Sequence, residues 1–170
     1  MTRILFLDID GVLNPIPMRS LPRTDWHLAY RLAKEKQDAG YQHLSHTALS
    51  CAYYCWDVHA MELLKELCEQ FQLQIIITSS WGSFYSLKEL KLLFGLYALD
   101  VYLTAIVPSI GKRSSNILHF LKEHPEIEAW ISIDDLMMED CFPNHAVTTR
   151  GYLKDTDIEK AKTLLKQQLH

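Results

Sequence analysis

Residues 4–14 read Ile-Leu-Phe-Leu-Asp-Ile-Asp-Gly-Val-Leu-Asn, and this stretch decides the fold. An apolar run without alternation suits a strand covered on both faces, as in a parallel sheet. It ends abruptly in two carboxylates, Asp8 and Asp10, and then in Gly11, a residue that lets the backbone turn sharply beside a ligand. Four more apolar runs rich in β-branched residues follow: Leu73–Thr78, Val101–Val107, Trp130–Ile133 and Ala146–Thr149. Between them the apolar residues recur at three- and four-residue spacing, predicting helices over His59–Phe71, Ser86–Phe94, Ser114–Glu123 and Asp157–Leu169. Ser114 or Ser115 is the expected N-cap of the third. This alternation predicts a three-layer α/β/α, Rossmann-like domain with a mainly parallel five-stranded sheet and right-handed crossovers.

Only residues 15–57 break the rhythm. They contain Pro15, Pro17 and Pro22, several basic residues and a mixed helical stretch from Trp26 to about Gln37. We read 1–170 as a single domain, with 15–57 a small cap-like insertion of one or two short helices after the first strand. An insertion of this size leaves the active edge relatively open.

Composition sets the outer limits. The chain has 170 residues, a net charge of −4, 48% hydrophobic and 22% charged residues, as in ordinary globular domains. No global positive field draws it to nucleic acid or membrane. The most apolar stretch, Leu92 to Val107, is interrupted by Asp100 and falls short of the ~20 residues a bilayer span requires. Asp8 and Asp10 interrupt what would be a signal peptide's apolar region. Four cysteines form no secreted framework, so reduced thiols and a cytoplasmic location are expected.

In open α/β sheets ligands bind beyond the carboxyl ends of the strands, and polar residues gather there four times: Asp8 with Asp10, Thr78 with Ser79, Lys112 with Arg113, and Asp134 with Asp135. Clustered carboxylates call for a hard cation such as Mg²⁺. With a Lys or Arg, that cation offsets the charge of a phosphate and its transition state. One carboxylate attacks phosphorus, and a second, two residues away, handles the proton.

FLDIDGVLN resembles the first motif of the haloacid dehalogenase (HAD) superfamily, whose phosphatases carry DxDG after the first strand. Thr78-Ser79 resembles its second motif, Lys112/Arg113 its third, and Asp134-Asp135 its fourth, in the same order along the chain. DIDGVLN, the TSSW strand end, the helix before ISIDD and the later TTRGYL are similar to the small HAD domains of Swiss Army knife RNA-repair proteins. The resemblance implies Asp8 as nucleophile and Mg²⁺ ligand, and Asp10 as general acid/base that binds the metal through its carbonyl. It implies Thr78, with Ser79 as alternate, on the phosphoryl group. Lys112 takes the cationic position, with Arg113 as alternate because it stands nearer the helix start. Asp134 and Asp135 supply the remaining metal contacts, with the choice of direct ligand open. The usual GDxxxD form is altered here, since Glu139 stands four residues after Asp135.

The expected activity is Mg²⁺-dependent hydrolysis of a phosphomonoester, either a phosphorylated small molecule or a nucleic-acid end, with no obligate protein partner. A non-catalytic phosphate-binding module and a phosphotransferase or phosphomutase are the alternatives. Three further features carry weaker readings. His43, His46, Cys51, Cys55 and His59 have a zinc-like look, and Cys51, Cys55 and His59 would share one face of a continuous helix; buried packing is the plainer reading. Trp81, just past the hydroxyl pair, could stack on a substrate ring. Arg19, Arg23 and Arg31 could reach a polyanion or simply be surface charge.

Overall fold

The computed structural model describes residues 2–16, 23–108 and 110–169. Its five strands are β1 (Thr2–Leu7), β2 (Gln74–Ile77), β3 (Leu103–Ile106), β4 (Ile127–Asp134) and β5 (Ala146–Thr148). They form one parallel sheet in the order β3-β2-β1-β4-β5. All five coincide with the apolar runs of the sequence. β3 departs from full burial, because it lies at the sheet edge and only Leu103 is fully covered.

Among the described residues there are six α-helices: α1 (Leu28–Glu35), α2 (His46–Cys55), α3 (Val58–Phe71), α4 (Leu87–Phe94), α5 (Arg113–Glu123) and α6 (Asp155–Gln168). In three of them the N-cap side chain accepts a backbone N–H. The Ser45 hydroxyl accepts the Ala48 N–H at 3.3 Å, the Asp57 carboxylate accepts the Ala60 N–H at 2.8 Å, and Ser86 with Glu89 forms a capping box. The expected serine cap of α5 is not used. Its N-cap is Lys112, so Ser114 and Ser115 fall inside the first turn.

The strands send alternate side chains to opposite faces. Leu5, Leu7, Ile75, Ile77, Ile131 and Ile133 join the larger core with apolar residues of α1, α2, α3, α4 and α6. Ile4, Phe6 and Ile76 join a smaller one, closed by Ile117 of α5 with Met138 and Phe142. Leu28, Leu32, Tyr41, Leu49 and Trp56, all from the 15–57 segment, are buried in the larger core. No helix among the described residues is long and apolar enough to cross a membrane.

The order of the sheet positions the site. From β1 the chain builds outward through β2 to β3, then crosses to β4 on the other side of β1. Such a reversal splays the connections apart and leaves a crevice at the carboxyl ends of the two central strands. Leu7 is level with Ile77 of β2 and Ile133 of β4, so Asp8, Thr78 and Asp134 emerge at the same height.

Candidate active site

Backbone hydrogen bonds seat each of these residues. The Asp8 N–H donates to the Ile133 carbonyl at 3.1 Å and the Thr78 N–H to the Leu7 carbonyl at 2.9 Å. The chain then doubles back, with the Ile9 carbonyl accepting from Val12, Leu13 and Asn14 and the Gly11 N–H donating to the Asn14 carbonyl at 2.7 Å. Gly11 takes a φ of +77° in this turn. Thr149, just past β5, ties the parts together: its hydroxyl donates to the Gly11 carbonyl at 2.7 Å, its N–H to the Asp134 carbonyl at 2.8 Å.

Carboxylate oxygens of Asp8, Asp134 and Asp135 lie within 4.8 Å of one another, the only such group of three among the described residues. Asp8 and Asp134 are buried and Asp135 is exposed. Arg113, at the first position of α5, donates to Asp134 at 2.6 Å and lies 2.8 Å from an Asp8 oxygen. Burial and the charge of Asp8 push the Asp134 carboxyl up to about 6 despite this guanidinium. The same two causes raise Asp135. Burial alone would lower Arg113, yet its hydrogen bonds and ion pairs with Asp134 and Asp8 hold it above its ordinary value. The cluster therefore keeps an excess of negative charge after one cation has entered it. Three oxygen donors converging with that excess suit a hard divalent ion.

The structure brings together Asp8, Asp134, Asp135 and Arg113. Lys112, expected in the cationic position, is instead exposed at the N-cap of α5. The phase of the helix explains the exchange, since Arg113 lies four residues before Ile117, the buried residue of α5, and so shares its inward face. Thr78 is buried just past the end of β2, and its hydroxyl has no hydrogen-bond partner among the described residues. A buried hydroxyl left unpaired is costly, and this one stands at the strand end beside Asp8. Ser79 is buried too, but its hydroxyl accepts the Trp81 N–H at 3.4 Å. Glu139 does not join the carboxylates; it binds Thr148 and Lys160.

Asp10 stands apart from the triad. One oxygen accepts from the Asn14 amide at 2.8 Å and the other from the Trp81 indole at 2.9 Å. Neither packing nor stacking on a substrate ring, the two roles the sequence suggests for Trp81, includes this contact. Across 71 residues no spacing signals it.

The zinc-like arrangement does not assemble. α2 stops at Cys55, Trp56 is extended and α3 starts at Val58, which breaks the continuous helix that Cys51, Cys55 and His59 require. His59 instead pairs with Asp155 at 3.0 Å. Arg31 lies 3.7 Å from Asp25 and over the Tyr53 ring. Arg23 is exposed, and Arg19 lies outside the described residues.

No curated protein and no solved structure gives a significant match to this chain. The family profile described as the HAD domain in Swiss Army Knife RNA repair proteins matches residues 4–158. That span runs from within β1 into α6 and takes in every residue of the carboxylate cluster. The chain thus belongs to the family of HAD domains found in Swiss Army Knife RNA repair proteins.

Proposed function

We propose that this domain is a Mg²⁺-dependent phosphomonoesterase that works through an aspartyl-phosphate on Asp8. The observation that carries the proposal is the convergence of Asp8, Asp134 and Asp135 at the β1–β4 crevice with Arg113 among them. Asp8, Asp134 and Asp135 would hold the metal, joined by the backbone carbonyl of Asp10 as the family resemblance implies. When bound, Mg²⁺ supplies charge neutralisation that lets a phosphate dianion approach a carboxylate.

The chain's own residues do the rest. An Asp8 oxygen attacks phosphorus as the bond from phosphorus to the alcohol oxygen breaks. Asp10, entering as the acid, gives its proton to that oxygen, and the alcohol leaves. The Asp10 carboxylate then takes a proton from water, whose oxygen attacks phosphorus and breaks the Asp8–phosphorus linkage. Inorganic phosphate is released, and Asp8 and Asp10 return to their starting protonation. Arg113 counters the charge that builds on the phosphoryl oxygens. The Thr78 hydroxyl, which has no partner among the described residues, gains one on the bound phosphoryl group.

The substrate reading extends the family's description to nucleotide or nucleic-acid-end phosphates. A panel with Mg²⁺ tests it: an aryl phosphate, sugar phosphates, nucleotides, and 3′- and 5′-phosphorylated oligonucleotides. Phosphate release that Asp8→Asn abolishes without loss of fold supports the proposal. Ligand-induced stabilisation without turnover assigns a binding module instead. Transfer of the phosphoryl group to an added alcohol rather than water assigns a phosphotransferase.

A further inference from the structure

We infer that Trp81 is a positioning residue for Asp10, holding the acid/base carboxylate through its indole N–H; the inference rests on the phosphatase reading above. The two oxygens of Asp10 are both engaged, Oδ1 by the Asn14 amide at 2.8 Å and Oδ2 by Trp81 Nε1 at 2.9 Å. Two donors on two different oxygens fix the plane of the carboxylate as well as its position. A single donor would leave it free to turn about its last bond.

Trp81 suits the task for three reasons. Its indole donates only, so it holds Asp10 without exchanging a proton with it. The side chain is itself held, with ring centroids 5.7 Å from Trp56 and 5.4 Å from Tyr85. Trp56 is in turn buried and stacked edge-on against Phe94 at 5.2 Å. Finally, the backbone that carries Trp81 is a short 3-10 turn, Ser80–Ser83, which starts directly after the Thr78-Ser79 strand end. The Ser79 hydroxyl accepts the Trp81 N–H, and the Trp81 carbonyl accepts from Phe84 and Tyr85. The hydroxyl pair therefore leads directly into the turn that carries the orienter of the acid/base residue, with Ser79 as its N-cap, so one continuous stretch of chain registers them against each other. The indole would not touch the phosphate in this account. It acts through Asp10.

Substitution of Trp81 by Phe keeps a flat ring for Trp56 and Tyr85 and removes the donor. Misplacing a catalytic group by about 1 Å costs on the order of a hundredfold, so a loss between tenfold and a hundredfold in kcat is expected for Trp81→Phe, with KM nearly unchanged. An aryl phosphate sharpens the test because its leaving group departs without a proton. Its first turnover should show a burst at the wild-type rate, followed by a slowed steady state as water activation lags. Equal slowing of burst and steady state, or no change in either, overturns the inference. Trp81→His, which restores a ring N–H donor, should recover part of the lost steady-state rate, and recovery no better than Phe counts against it.

A readout independent of activity separates failure of this inference from failure of the phosphatase reading. The chain has four tryptophans, and in a ¹H–¹⁵N spectrum the Trp81 indole signal is identified by its loss in Trp81→Phe. In Asp10→Ala that signal should shift and its hydrogen exchange accelerate, while the other three stay in place. An unmoved Trp81 signal refutes the contact even if the enzyme is active. A moved signal with no turnover on any phosphate leaves the contact standing and removes the phosphatase reading.

Discussion

Replacing Gly11 by Ala offers a graded test of how tightly the turn and the carboxylate cluster are built together. Gly11 has φ +77°, and a Cβ added there would come within 2.8 Å of both Cβ and Oδ2 of Asp135. A flexible oxygen can swing away, but the Asp135 Cβ is fixed to the backbone directly after β4. Relief therefore requires moving that backbone. The positive φ alone costs an L-residue about 1–2 kcal/mol, and the steric conflict adds about 1–3 kcal/mol typical of overpacking. Gly111 supplies the control. Its φ is +74°, with nothing among the described residues within 4 Å of an added Cβ, so Gly111→Ala should carry the backbone cost alone. Urea unfolding with EDTA present, followed by tryptophan fluorescence, should show Gly11→Ala less stable than Gly111→Ala by about 1–3 kcal/mol. Disturbing the groups that orient a metal ligand costs about ten- to a hundredfold in affinity, so Gly11→Ala should also weaken Mg²⁺ binding by about tenfold, measured by calorimetry. Gly111→Ala should leave it alone. Equal destabilisation by the two substitutions, with equal Mg²⁺ affinity, would refute the coupling between the turn and Asp135.

Other substitutions probe the charges. Arg113→Met strips the counter-ion from the buried Asp8 and Asp134 and should cost about 3–5 kcal/mol without metal; added Mg²⁺ should recover part of that loss in a thermal melt. Asp134, raised from 3.8 to about 6 in the fold, favours the folded state when protonated. Its contribution is present below about pH 4 and lost as pH rises through 6, so in EDTA the Asp134→Asn variant should lack that declining limb. Mg²⁺ competes with the same proton, and its binding should weaken as pH falls through 6. Glu139 has the opposite sign: burial would raise it, but hydrogen bonds from Thr148 and Lys160 outweigh burial and bring it from 4.5 to about 2. Its stabilisation is present above 4.5 and lost as pH falls toward 2, and Glu139→Gln should cost about 1–2 kcal/mol at pH 7, with a flatter acid limb in the unfolding profile.

Much of this architecture is written locally in the chain. A buried parallel strand must be continuously apolar, and a carboxylate cannot continue it, so Ile4–Leu7 followed by Asp8 marks both a strand and its site end. The same logic places Thr78 and Asp134. What local reading leaves open is helix phase and long-range contact. Lys112 and Arg113 are adjacent and chemically alike, yet a helix turns about 100° per residue, so only one of them can face the sheet. The clue lay in Ile117, one turn beyond Arg113 and on the same face. The break at Trp56–Asp57 is legible as well, since Asp57 is a good N-cap and the apolar spacing starts the next helix close behind it, at His59. The Trp81–Asp10 hydrogen bond had no such clue, because it exists only once β1 and β2 lie side by side.

The central claim is that Asp8 becomes phosphorylated. Rapid acid quench during turnover of an active phosphomonoester, followed by borohydride reduction and peptide mass spectrometry, reads it directly. The expected result is reduction at residue 8 to homoserine, dependent on substrate and Mg²⁺ and absent from Asp8→Asn. Sustained turnover by Asp8→Asn, or a trapped phosphoryl group on any other residue, would contradict it.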